Sequence, residues 1–213
     1  MEQDIDKIEN CYDTVAREYA EFFTEEHEKK PQDQEVLKRF AQLLAGRRPA
    51  WEFGCGPGHT AQYVANLGIE ISGLDLSEKI IEQARVSHPK IPFRKGNMLD
   101  LDFEDNSIAG VLSFYAIVHF TADQVLKAFQ EIYRVLQPNG LYLFTYHIGE
   151  ETVHVEEFLG KHVDINWMFF KSDFIMGCLQ KTGFESIEVI ERDPYPDVEY
   201  QSKRAYVIAV KPA

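Results

Sequence analysis

The 213-residue chain has only three cysteines, Cys11, Cys55 and Cys178, far apart and without a C-x-x-C pair. That excludes a disulfide framework and a cysteine-rich zinc site, and it fits a reducing, cytoplasmic setting. No apolar run approaches the length of a membrane span. Residues 1–10 are acidic and polar, unlike a secretory leader. Positive charge is scarce too: 22 Lys and Arg stand against 35 Asp and Glu, a formal charge of −13. A surface of that sign repels phosphate backbones and anionic lipid, which disfavours nucleic-acid and membrane partners. There is no internal repeat, low-complexity tract or linker-like segment. Hydrophobic residues at 45% and charged residues at 27% are ordinary globular values, so one folded domain over 1–213 is expected.

What is present is an alternating pattern. Apolar and aromatic positions Ile8, Tyr12, Val15, Tyr19, Phe22 and Phe23 predict an amphipathic helix over 5–28, ended by Pro31. Val36, Leu37, Phe40, Leu43 and Leu44 predict a second helix over 33–45, closed by Gly46 and Pro49. Strands then read at 50–53, 69–74, 91–94, 107–114 and 141–146, with a turn at 138–140 before the last. Helices fall between them at 59–67, 77–87 and 121–136, the latter opened by a Thr121/Gln124 capping box. Residues 149–170 break the rhythm. Ser172 is the expected cap of a helix that Gly183 ends, and strands at 184–190 and 204–210 follow. Such alternation predicts a parallel sheet covered on both faces, with the last two strands pairing antiparallel at one edge.

The most informative segment is W-E-F-G-C-G-P-G-H-T over 51–60. A strand runs into a glycine turn, and a helix follows. Glycines allow a left-handed backbone and let a ligand approach the chain, while the helix start offers unpaired N–H groups. A second strand ends at Asp75, about twenty residues on, where a carboxylate suits ribose hydroxyls. The glycines at 54, 56 and 58 do not match the dinucleotide fingerprint G-x-G-x-x-G.

That spacing, with Glu52 before it, resembles the class I S-adenosylmethionine-dependent methyltransferases, small-molecule type. Gly96-Asn97-Met98 after the third strand, Ser113-Phe114-Tyr115 at the end of the fourth, FQEIYRVLQPNG over 129–140 and YDTVAREY over 12–19 extend the resemblance along nearly the whole chain. Two positions depart from it: Glu52 and Asn97 stand where aspartate is common. The resemblance implies a three-layer Rossmann-like fold, with a seven-stranded, mostly parallel sheet and an antiparallel last strand. It implies S-adenosylmethionine as cofactor and a small-molecule methyl acceptor. By position, Glu52 would orient the glycine loop and the methionine amino group. Gly54, Cys55, Gly56 and Gly58 would form the loop the cofactor approaches. Asp75 would hold the ribose, Leu76, Asn97 and Met98 the adenine, and Phe114 the methionine portion. Tyr12 and Tyr19 would close over the cofactor or simply pack, as part of N-terminal lid helices over 1–46. The insertion over 148–170 would shape the acceptor site.

His119, just past the fourth strand, is the candidate general base; a packing or capping histidine is the other reading. Tyr115 is a second polar candidate. Trp167, Phe169 and Phe170 read equally as core or as an apolar wall for the acceptor. His147, His154 and His162 lie near Glu150, Glu151, Glu156, Glu157 and Asp164, but no ligand spacing emerges, so solvated charge and no metal is expected. Direct displacement at a sulfonium methyl needs mainly positioning, so no catalytic residue has to stand out. Two other functions share these features: a nicotinamide-dependent oxidoreductase, and a non-catalytic domain that binds the cofactor to regulate a partner. The identity of the acceptor, the methylated atom, and the choice between monomer and homodimer are not written in the sequence.

Overall fold

The computed structural model describes residues 4–24 and 26–213. Residues 1–3, in the polar start, and Glu25, inside the helix predicted over 5–28, lie outside them. Strands β1 (Ala50–Phe53), β2 (Ile71–Asp75), β3 (Phe93–Lys95), β4 (Ile108–Ser113) and β5 (Leu136–His147) pair in parallel. Between β5 and β8 (Glu185–Arg192) lies β9 (Arg204–Val210), antiparallel to both. The hairpin β6 (Thr152–Phe158) and β7 (Lys161–Met168) makes a separate two-stranded sheet. The seven-stranded order is β3-β2-β1-β4-β5-β9-β8, the expected mostly parallel sheet. The last strand goes inside and the penultimate one outside for a simple reason. The first six residues of β9 are buried and mostly apolar, which requires neighbours on both sides. Glu185, Glu188 and Glu191 stud β8, which suits an edge.

Helices α1 (Ile5–Phe22), α2 (Pro31–Leu44), α3 (His59–Asn66), α4 (Glu78–Ser87), α5 (Ala122–Val135) and α6 (Ser172–Thr182) surround the sheet. Val125, Phe129 and Ile132 of α5 pack with Ile175 and Leu179 of α6 against one face. Leu37, Phe40 and Leu44 of α2, Val64 of α3 and Ile81 of α4 pack against the other. Burial of a side chain of this kind contributes about 1.5–3 kcal/mol. Among the described residues no helix is long and apolar enough to cross a membrane.

Several predicted boundaries move. The first helix stops at Phe22, and Glu26–Lys29 forms a 3-10 turn. Pro31 opens α2 instead of closing α1, because a first-turn residue needs no amide N–H. The turn predicted at 138–140 lies within β5, beside a register shift between Ile108 and Gly110. Lys171 precedes α6 as its N-cap; Ser172 is its first residue, and its hydroxyl bonds Tyr146 and Glu191 instead of capping. The Thr121/Gln124 capping box and the left-handed Gly183 stop are as expected.

The 149–170 interruption is the β6–β7 hairpin, turned by Leu159 and Gly160, both at positive φ. Its Val155, Val163 and Ile165 pack on Cys11 and Val15 of α1. Helix and hairpin thus share a small core of their own above the carboxyl ends of the parallel strands.

Gly58, at φ +85°, precedes α3, and a Cβ there would sit 2.5 Å from the Phe93 ring. Gly58→Ala is therefore expected to cost about 2–4 kcal/mol, combining left-handed strain with overpacking. Urea unfolding measures it, and a cost below about 1 kcal/mol would contradict this packing.

Candidate active site

Parallel strands point their carboxyl ends the same way, and loops there leave a crevice where the strand order reverses. Here the order reverses between β1 and β4. A cavity of about 790 Å³ opens at that place, toward the top of the range for small-molecule sites. The residues expected at the cofactor site line it, namely Tyr12, Tyr19, Glu52, Gly54, Cys55, Gly56, Asp75, Leu76, Asn97, Met98 and Phe114, and so does His119, the candidate base. Gly58 does not line it; its place is the packing against Phe93 described above.

The glycine loop follows β1 with Gly54 at φ +71° and Gly56 at φ +52°. A Cβ on Gly54 would lie 2.4 Å from Ala116 Cβ, so that glycine is required by packing. A Cβ on Gly56 would meet only Tyr19 Cε1, at 3.5 Å, so bare backbone faces the cavity. The Gly56 N–H donates to Asp75 Oδ2 at 2.9 Å, and the Ser77 N–H to Oδ1 at 3.0 Å. Burial pushes the Asp75 carboxyl up, while these backbone donors pull it down. The ends of β1 and β2 are thereby tied into one cradle with a carboxylate at its rim. Glu52 is 1% exposed beneath the loop. The Asn97 side-chain oxygen Oδ1 accepts from the Leu99 N–H at 2.9 Å, closing its own turn, and retains a second lone pair. A bare glycine backbone, a rim carboxylate and the apolar Leu76 and Met98 suit a nucleoside-type ligand such as S-adenosylmethionine.

Helix α1 covers this cradle. Its Asp13 accepts from the Ser77 hydroxyl at 2.5 Å and the Lys79 N–H at 3.2 Å. It thus sits at the amino end of α4, where negative charge is favoured. Tyr12 and Tyr19 meet edge-to-face at 5.4 Å, and Tyr19 reaches Phe158 of the hairpin at 6.0 Å.

His119 is 4% exposed. Its Nδ1 lies 3.1 Å from the Asn166 carbonyl of β7, and its Nε2 lies 2.8 Å from the Tyr12 hydroxyl. A carbonyl only accepts, so Nδ1 carries the proton and Tyr12 donates to the bare Nε2. Burial pushes His119 down to about 4 and holds the ring neutral. This side chain joins α1, the β4–α5 connection and the hairpin.

Beyond the cradle the cavity is walled by Lys30, Tyr115, His147, Phe158, Trp167, Tyr200 and Arg204. Tyr115 sits at φ +51°, its N–H donating to Thr145 Oγ1 at 2.7 Å. Trp167 lines the cavity, whereas Phe170 joins the core and Phe169 stacks on His147. His154 and His162 are exposed, as solvated charge should be, but His147 is not: it is half-buried in the cavity wall. Among the described residues no three His, Cys, Asp or Glu side chains converge as for a metal ion. Sequence reasoning gave no role to Lys30, Glu199, Tyr200 or Arg204, which come from distant parts of the chain.

The profile of a family described as a methyltransferase domain matches residues 50–140. A probable S-adenosylmethionine-dependent methyltransferase of Mycolicibacterium smegmatis is 35% identical over 108 residues, 51% of this chain and 41% of that one. The chain thus spans less than half the length of that relative. A putative S-adenosylmethionine-dependent methyltransferase from Listeria monocytogenes superposes with a TM-score of 0.69 at 20% identity, covering 86% of this chain and 98% of that one. The [4+2]-cyclase SpnF superposes with a TM-score of 0.69 at 17% identity, covering 98% and 97%. At such identities the two structures establish the fold.

The buried neutral His119 has a consequence for stability. The unfolded chain takes up a proton near pH 6.5, while the folded ring resists down to about pH 4. Stability from this group is therefore complete above pH 6.5 and is lost as pH falls toward 4, by about 1.4 kcal/mol per pH unit. Urea unfolding between pH 7.5 and 5 should give a shallower slope in His119→Asn than in wild type. Equal slopes would contradict the assignment.

Proposed function

We propose that the chain is a class I S-adenosylmethionine-dependent methyltransferase, a reading supported by the profile match over residues 50–140 and by the methyltransferase relatives, and that it transfers a methyl group to a small-molecule acceptor held in the same cavity. The observation that carries this reading is the Gly56–Asp75 cradle opening onto a cavity with room for a cofactor and a second small molecule. Bound S-adenosylmethionine would supply an electrophilic methyl carbon on a sulfonium.

The chain's own residues have the tasks of binding, alignment and exclusion of water. Asp75 would accept from the ribose hydroxyls, and Glu52 would hold the methionine amino group. Leu76 would pack on the adenine ring, and Asn97 and Met98 would bind its edge. Phe114 would lie near the methionine portion. Tyr12 and Tyr19, on the lid formed by residues 1–46, cover the cofactor, and residues 148–170 shape the acceptor site. His119 orients the Tyr12 hydroxyl. Its Nε2 takes a proton through that hydroxyl when the acceptor has one to lose, which at a pKa of about 4 demands an acidic acceptor group. Alignment of the nucleophile with the breaking C–S bond supplies most of the rate. The negative overall charge and an aromatic-walled cavity favour a small acceptor over a nucleic acid.

The likeness to a [4+2]-cyclase, and to an S-adenosylmethionine-dependent Diels-Alderase, motivates one alternative, an enzyme in which the same cavity promotes a cycloaddition instead of methyl transfer. Release of S-adenosylhomocysteine during turnover separates the two.

Calorimetric titration of S-adenosylhomocysteine is expected to give micromolar binding to wild type. Asp75→Ala should weaken it by about 1–3 kcal/mol, the value of a hydrogen bond to a charged group. Absence of binding to folded wild type, with NAD bound instead, would overturn the proposal.

A further inference from the structure

The cavity runs on to the ends of β5 and β9, where His147 and Arg204 face each other in register. Arg204 is 2% exposed. Its Nη1 donates to His147 Nδ1 at 2.9 Å and its Nη2 to the Tyr200 carbonyl at 2.8 Å, while Nε lies 2.7 Å from Glu199 Oε2. A guanidinium has no lone pair to offer, so His147 Nδ1 is the bare nitrogen. The Ser202 hydroxyl lies 2.6 Å from the same atom. The one imidazole proton therefore resides on Nε2, which has no protein acceptor among the described residues. Burial, then the Arg204 charge, push His147 down to about 3, so the ring stays a neutral donor at pH 7. Stacking on Phe169 at 4.9 Å and contact with Tyr115 at 5.2 Å fix its orientation.

Of the two carboxylates that the β8–β9 segment brings to the cavity, Asp197 is exposed to solvent and Glu199 is already engaged. Burial raises its pKa, but Arg192, the Tyr195 N–H, Arg204 and Lys30 together bring it down to about 2. This end of the cavity thus offers a fixed N–H donor beside two buried cations. It lies two and three strands from β1, or about 10–14 Å at about 4.8 Å per strand, away from the cofactor cradle. Trp167, Phe158 and Tyr200 supply flat apolar walls beside it.

Resting on the methyltransferase reading, we infer that the acceptor is a carboxylic acid with an apolar or aryl body, its carboxylate anchored by His147 Nε2–H in the positive field of Arg204 and Lys30. The anchor sits away from the reacting centre, so it selects the acceptor and leaves the nucleophile to another part of the molecule. An N–H donor beside two cations favours an anionic oxygen, which satisfies it with a charge-assisted bond.

The test uses full-length protein saturated with S-adenosylhomocysteine and titrated, by ligand-observed NMR, with benzoate, phenylacetate, cinnamate and hexanoate, each against its primary amide. At least one acid is expected to bind about tenfold or more tighter than its amide. His147→Phe should abolish that preference, His147→Gln, which keeps an N–H donor, should restore part of it, and S-adenosylhomocysteine affinity should stay unchanged in both. Equal binding of acids and amides in wild type, or no binding of any acid, would overturn the inference without recourse to a variant. A His147→Phe loss of S-adenosylhomocysteine affinity as large as the loss of acid would also overturn it, assigning the donors to the cofactor's own carboxylate. Failure of the folded wild type to bind S-adenosylhomocysteine at all is a separate result, which removes the methyltransferase reading and this inference together.

Discussion

The bond between the Gly56 N–H and Asp75 carboxylate holds the site together. It carries the pairing of β1 and β2 one step past the Gly54 and Cys55 N–H bonds to the Leu74 carbonyl, into the loop itself. Its geometry demands a left-handed residue at 56, and its chemistry demands an acceptor at the tip of β2. With both present, the backbone of the first loop faces the cavity without a side chain, and the carboxylate is aimed by two N–H donors instead of by solvent. The neighbouring glycines serve different masters: Gly54 yields to Ala116 and Gly58 to Phe93. One loop therefore solves a binding problem and two packing problems at once.

The cover is built on similar economy. Helix α1 reaches the cradle through Asp13 at the start of α4, and the hairpin through Val15 and Cys11. Tyr12 and His119 complete the link, since the imidazole bonds α1 at one nitrogen and β7 at the other. A helix held by a few polar contacts and a small apolar cluster is the kind of element that opens at modest cost, which suits a part that must admit and release small molecules. The far wall contrasts with it: Arg204, Glu199 and Arg192 are locked into one buried ionic cluster.

Local chemistry was readable from sequence. The glycine loop, Asp75, the Thr121/Gln124 box and the Gly183 stop each announce themselves within a few residues, and each falls where expected. The hairpin was harder: its Leu159-Gly160 turn lacks the usual Asn-Gly signal, and its strands are studded with aromatics and acids alike. The end of α1 is poorly marked because residues 24–30, mostly helix-tolerant Glu and Lys, contain no glycine or proline before Pro31. His147, Glu199 and Arg204 could not be grouped in advance. Nothing in their spacing foretells that β9 enters the sheet beside β5, and that single topological choice brings them together. Gly58 looked like its neighbours in sequence, and only the position of the Phe93 ring separates its role from theirs.

Amide hydrogen exchange with and without S-adenosylmethionine tests the central claim most directly, because it reports where the ligand sits without needing the acceptor. Added protection should concentrate at 54–58, 75–77 and 96–98, with slower opening of α1, while α6, which does not line the cavity, stays unchanged. Protection elsewhere, or none at those three loop segments in a protein shown to be folded, would contradict the account.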